Sequence, residues 1–207
     1  GVILLVLFLF LYGGLFLPRC NVPKTDDDVS VLRVMTFNLA HHLGNPTARA
    51  VAIKCEHADI VAIQEMTPEF GQIYNLNFKP DYPYSAIKPG EESPGLLSRY
   101  PIRKATWIVP QGGGQTFLHT VVNWEDIDLN VFVIHPTAPE LVFIPNTGIL
   151  IGLDDTASQR QVPEIIRHIV AVEGLKLIMG DFNICDQTKA YKKVAEIFVD
   201  TYREKGW

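Results

Sequence analysis

Apolar positions are distributed unevenly along the chain. Residues 1–17 read GVILLVLFLFLYGGLFL and hold no charged side chain. A helix of that length rises about 26 Å, against roughly 30 Å for the hydrocarbon core of a bilayer. A cleaved signal peptide would carry a shorter apolar region ending in small residues, whereas this one ends Leu17-Pro18-Arg19-Cys20. The expectation is a membrane protein held by a transmembrane helix over 1–17, single-pass or the last of several, with the side of its soluble part undetermined. Residues 18–29, with two prolines and the run Asp26-Asp27-Asp28, read as a linker.

From residue 30 onward, short apolar runs alternate with helical patterns. Strands are expected at 30–37, 59–64, 96–98, 102–109, 116–123, 129–134 and 175–179, and helices at 46–57 and 189–198. Val162, Ile165, Ile166, Ile169 and Val170 recur at helical spacing, with Gly174 as the stop signal. This order predicts an α/β domain over 30–207, built on a mixed sheet or two sheets. Gly112-Gly113-Gly114, between two strands, reads as a flexible loop. Val34-Met35-Thr36-Phe37-Asn38-Leu39 is echoed by Ile178-Met179-Gly180-Asp181-Phe182-Asn183-Ile184, two apolar strands that each run into a Phe-Asn pair.

Composition narrows the picture a little. The chain has 18 basic against 23 acidic residues, a net charge of −5. That balance argues against coating nucleic acid through basicity. It is compatible with phosphate chemistry, because a bound cation recruits phosphate locally. Cys20, Cys55 and Cys185 form no close pair and no zinc pattern, so an unbridged domain with buried or idle thiols is expected.

Four of the apolar strands end in polar residues that suit metal or phosphate: Asn38, the Gln64-Glu65 pair, His135, and Asp181 with Asn183. Strand ends are where α/β proteins place their sites, because the sheet is rigid and the loops vary. Each residue alone has a plain explanation as a cap, a helix start or a satisfied histidine. The segments VLRVMTFNLA, ADIVAIQEM, GLLSRYPI, VFVIHPTAP and LIMGDFNICD together resemble the successive motifs of the endonuclease/exonuclease/phosphatase superfamily, the deoxyribonuclease-like group. The match runs over residues 31–186 in the family's order.

The resemblance implies a four-layer α/β/β/α sandwich, two packed mixed sheets flanked by helices. It implies a hydrolase of phosphate esters (phosphodiesterase, nuclease or phosphatase) that uses Mg2+, with Mn2+ as a substitute. Glu65, helped by Asn38, would bind the metal. His135 would contact the phosphate and protonate the leaving oxygen, Asp181 would orient or activate water, and Asn183 would hold a non-bridging oxygen. The substrate would be a nucleic acid, a phospholipid or an inositol phosphate. The competing expectation is a membrane-anchored protein that holds phosphate or lipid head groups without cleaving them. Members of the family end in a further strand and an Asp-His pair. None follows Asp186, and His168 lies in the helix before Asp181, so the expectation is that the 207 residues are a fragment. His41, His42, Ser98, Arg99, Arg160, Cys185 and Asp200 are secondary candidates, for which loop, bracing, surface or packing roles are expected. The sequence carries no sign of oligomeric state.

Overall fold

The computed structural model describes residues 1–12, 30–40, 46–67, 70–88, 92–111 and 113–205. Among these residues the strands form two four-stranded mixed sheets and a separate hairpin. In the first sheet β1 (Val34–Asn38) lies parallel to β2 (Ile60–Met66). Antiparallel to β2 comes β4 (Ser93–Ser98), and β3 (Tyr84–Ala86) closes that edge. In the second sheet β5 (Ile102–Ile108), β6 (Phe117–Trp124) and β7 (Ile127–Ile134) form an antiparallel meander, and β10 (Leu175–Gly180) lies parallel to β7. Parallel neighbours need a crossover. Those crossovers are α2 (Pro46–Cys55) between β1 and β2, and α4 (Thr156–Ala171) between β7 and β10.

The period-two pattern of β2 shows how the layers assemble. Ile60 and Ala62 join Leu96, Leu118, Val131, Val133 and Met179 in a cluster between the two sheets. Val61 and Ile63 point the other way, to Ile53 of α2 and to Phe70 and Phe78. On the outer face of the second sheet, Val162, Ile165 and Ile169 of α4 pack on Phe117, Phe132 and Ile134. Each fully buried aliphatic side chain here contributes about 1.5–3 kcal/mol relative to exposure. The expected two packed sheets with helices outside are therefore present.

Several elements differ from expectation. The stretch after β2 forms α3 (Phe70–Ile73) and a π-helical turn, Tyr74–Phe78, where no helix was expected. The Tyr74 hydroxyl donates to the Tyr82 carbonyl at 2.9 Å and seals that turn. An unexpected hairpin, β8 (Glu140–Phe143) and β9 (Leu150–Asp154), separates β7 from α4. The last expected helix is shorter, α5 (Lys189–Ala195), and is followed by α6 (Thr201–Lys205).

The membrane expectation is corrected. The helix at the start of the chain, α1 (Val2–Tyr12), has 11 residues. It rises about 16 Å, roughly half the hydrocarbon thickness. Among the described residues no helix is long and apolar enough to cross a membrane. The uncharged run spans 17 residues, and the described helix covers 11 of them. Residues 13–17 and the expected linker at 18–29 lie outside the described residues.

One buried polar group on the second sheet makes stability depend on pH. His119 is buried and stacks on Phe132 with ring centroids 4.4 Å apart. Asn130 Nδ2 donates to the carbonyls of Glu173 and Leu175 at 3.1 and 3.2 Å. That fixes the amide so that its Oδ1, 2.9 Å from His119 Nε2, accepts the imidazole proton. Burial pushes the His119 pKa below its ordinary value, and the Asn130 hydrogen bond only partly opposes the shift. The unfolded chain therefore takes up this proton first as pH falls. The contribution of neutral His119 is whole above about pH 6.5 and declines as pH falls from there toward the depressed folded value. The urea midpoint should drop on acidification more steeply in wild type than in His119→Gln, measured in parallel titrations.

Candidate active site

Two strand ends from each sheet meet at one pole of the sandwich. Asn38 ends β1, and Glu65 is the penultimate residue of β2. His135 directly follows β7, and Asp181 directly follows β10. Asn38 Nδ2 donates to Glu65 Oε1 at 2.9 Å and to Asp181 Oδ2 at 3.2 Å. One amide nitrogen thus ties a carboxylate of the first sheet to a carboxylate of the second. His135 Nε2 stands 3.7 Å from Glu65 Oε1, and both side chains are about four-fifths buried. Asn183 donates its backbone N–H to Asp181 Oδ1 at 3.0 Å and its Nδ2 to the Pro136 carbonyl at 2.9 Å. The loop after β10 is thereby fastened to the loop after β7. All five expected site residues come together.

The backbone at this pole is unusual. Ala40, Glu65 and Asn183 have φ of +45°, +53° and +50°. L-residues seldom occupy this left-handed region, and such conformations gather at functional sites. At Glu65 the cause is visible: the β2–β4 register shifts between Ile63 and Met66, and such a bulge re-aims a side chain. Asn38 is held by its own turn, since its Oδ1 accepts from the Ala40 N–H at 2.8 Å. Its nitrogen, not its oxygen, is therefore what faces the two carboxylates.

A cleft of about 40 Å³ opens beside Glu65 and His135, walled by Glu92, Ser93, Pro94, Gln115 and Thr116. The sequence reading missed all five wall residues, because it considered only where strands end. β4 and β6 run antiparallel to β2 and β7, so their beginnings reach the same pole. Ser93 Oγ is buried in this wall with no hydrogen-bond partner among the described residues. Also among the described residues, no three His, Cys, Asp or Glu side chains form a closed metal cage. The polar oxygens on offer, Glu65, Glu92 and Ser93, form a hard donor set. They fit a cation such as Mg2+, which needs only one or two carboxylates and fills its remaining positions with water and substrate oxygens.

The secondary candidates separate from the site. Ser98 and Arg99 lie at the opposite pole, where Ser98 pairs with Ile60. Ser98 Oγ bonds the backbone of Tyr100, and Arg99 pairs with Asp59 at 3.2 Å. Arg160 is exposed on α4. Asp200 is structural, accepting from the Tyr191 hydroxyl at 2.7 Å. Cys55 and Cys185 are free and exposed rather than buried; Cys20, His41 and His42 lie outside the described residues. Gly113 and Gly114 have φ of +85° and +107°, and a side chain at Gly114 would collide with Gln161, so that loop is closely packed on α4.

Comparisons with known proteins bear on the family and on the fold. The sequence model of the Endonuclease/Exonuclease/phosphatase family matches residues 35–201. No curated protein matches the chain by sequence. Among solved structures, sphingomyelinase C from Streptomyces griseocarneus superposes with a TM-score of 0.59 at 18% identity, over 81% of this chain and 70% of that one. Humanized D. rerio TDP2 gives 0.57 at 16%, over 80% of this chain and 66% of that one. Beta toxin from Staphylococcus aureus, in a structure with bound magnesium ions, gives 0.59 at 16%, over 81% and 70%. At such identities the likeness is one of fold, and this chain spans about two thirds of the length of each of these three.

Proposed function

The chain belongs to the Endonuclease/Exonuclease/phosphatase family, and on that premise we propose that it is a divalent-metal-dependent hydrolase of phosphate esters. The observation that carries this reading is the pair of carboxylates, one from each sheet, held on the single Asn38 nitrogen with His135 beside them.

In the proposed mechanism Glu65 would hold the cation, with Asn38 fixing its carboxylate and Glu92 within the same cleft. A bound Mg2+ or Mn2+ would supply Lewis-acid stabilisation of charge developing on the phosphate oxygens. Asp181 accepts a proton from the attacking water. His135 donates a proton to the leaving oxygen, its ring kept in the cleft wall close to Glu65. Asn183 has two amide hydrogens; one anchors on Pro136, and the other serves a non-bridging oxygen. The rigid strand ends place these groups before substrate arrives, which is how oriented dipoles accelerate such reactions.

The test is turnover of a chromogenic phosphodiester by the full-length protein with Mg2+. Turnover should vanish with a chelator and return on adding Mg2+ or Mn2+. Turnover indifferent to chelation would overturn the metal role. Phosphate binding without any turnover would replace the reading by a non-catalytic phosphate-binding one.

A further inference from the structure

We propose that Gln161 is a positioning residue for His135, fastening the loop that carries the imidazole into the cleft. This rests on the phosphoesterase reading above, in which His135 donates a proton to the leaving oxygen. Gln161 lies on the buried face of α4 with Ser158, Val162, Ile165, Ile166 and Ile169, and it is 7% exposed. A buried amide is costly unless its polar atoms are bonded. Both ends of this one go to a single residue outside the helix. Gln161 Oε1 accepts from the Thr137 N–H at 2.9 Å, and Gln161 Nε2 donates to Thr137 Oγ1 at 2.8 Å.

The imidazole depends on that loop. Among the described residues no hydrogen bond holds the His135 ring, and its contact with Glu65 Oε1 is at 3.7 Å, beyond hydrogen-bond reach. The place of the ring is therefore set by the backbone on either side. Upstream, Ile134 is fixed in the ladder opposite Gly180. Downstream, Pro136 has no N–H to be anchored, although its carbonyl accepts from Asn183 Nδ2 at 2.9 Å. Thr137 carries the first N–H after His135, and that N–H is held by Gln161. A misplacement of about 1 Å can cost a reaction step roughly 10²-fold, so loosening this point should be felt at the imidazole.

The same amide abuts a second loop of the cleft. A Cβ at Gly114 would collide with Gln161 Nε2, and the next two residues, Gln115 and Thr116, line the cleft with His135. Gln161 thus touches both the loop before β6 and the loop after β7. A brace for α4 alone is the competing role, and His119 reports on it. That buried histidine has its ring 6.4 Å from the ring of His168 on the same helix, so a loosened α4 would disturb His119 as well.

The experiment compares full-length wild type with Gln161→Met, which keeps length and packing without the amide, and with Thr137→Val and Thr137→Ser, each checked for folding by circular dichroism. Turnover with Mg2+ is measured on a dialkyl phosphodiester, whose leaving alkoxide needs a proton, and on a nitrophenyl phosphodiester, whose leaving phenolate needs none. Gln161→Met should lose roughly 10- to 100-fold in kcat on the alkyl ester and under about threefold on the nitrophenyl ester. Thr137→Val should shift in the same direction, and Thr137→Ser, which keeps both hydrogen bonds, should match wild type. Labelling by diethyl pyrocarbonate, read by mass spectrometry, should rise in Gln161→Met at His135 and stay unchanged at His119. Equal losses on both esters, a rise at both histidines, or wild-type turnover by Gln161→Met would overturn the proposal. A wild type inactive on both esters would instead remove the phosphoesterase reading, and a rise confined to His135 would still uphold Gln161 as what holds that loop.

Discussion

Replacing Glu65 with Gln or with Gly should slow phosphodiester turnover by roughly 10²-fold or more while leaving the melting temperature nearly unchanged. The two substitutions ask different questions. Gln keeps size and hydrogen bonding but removes the charge that would hold a cation, so its loss reports on the carboxylate alone. Gly removes the side chain from a position with φ of +53°, where a residue without Cβ is unstrained. The hydrogen bond lost from Asn38 costs about 1 kcal/mol, and relief of the left-handed backbone offsets a similar amount. Asn38 Nδ2 also keeps its second acceptor, Asp181 Oδ2. An inactive Glu65→Gly protein as stable as wild type would mean that the strained glutamate is kept for chemistry rather than for folding. A variant that retains full turnover would remove Glu65 from the mechanism.

The limits of the sequence reading have physical causes. Apart from the short edge strand β3, the strands of both sheets were legible because each carries apolar residues toward a buried layer, and α4 because Val162, Ile165, Ile166 and Ile169 all pack into one cluster. Asn38, Glu65, His135, Asp181 and Asn183 were legible as polar breaks at the ends of such strands. The hairpin β8–β9 was not legible. Neither of its faces is buried, so the pattern lacks the alternation that marks a half-buried strand. The bulge at Glu65 and the cleft wall at Glu92, Ser93, Gln115 and Thr116 depend on strand pairing, which leaves no local trace. The spanning helix expected over 1–17 is not found among the described residues, where α1 covers Val2–Tyr12; apolarity constrains the environment of a segment more than the length of its helix.

Gly180→Ala should be strongly destabilising, costing about 3–5 kcal/mol. Gly180 ends β10 opposite Ile134 in the parallel ladder, with φ of +145°. A Cβ there would collide with the carbonyl oxygen of Ile134, a backbone atom that cannot swing aside. Either β10 separates from β7 or the backbone of both strands distorts. The next residues along these strands are Asp181 and His135, so the spacing that excludes a methyl group is also what brings acid and imidazole to the same pole. Gly71→Ala is the natural control, since a Cβ at Gly71 meets nothing within 4 Å. It lies in α3, where Ala is preferred over Gly by about 1 kcal/mol. Urea unfolding should therefore place the Gly180→Ala midpoint far below wild type with an unchanged slope, and the Gly71→Ala midpoint at or above it. Equal midpoints for the two variants would mean that β7 and β10 are not packed this closely, and the convergence of Asp181 with His135 would then need another explanation.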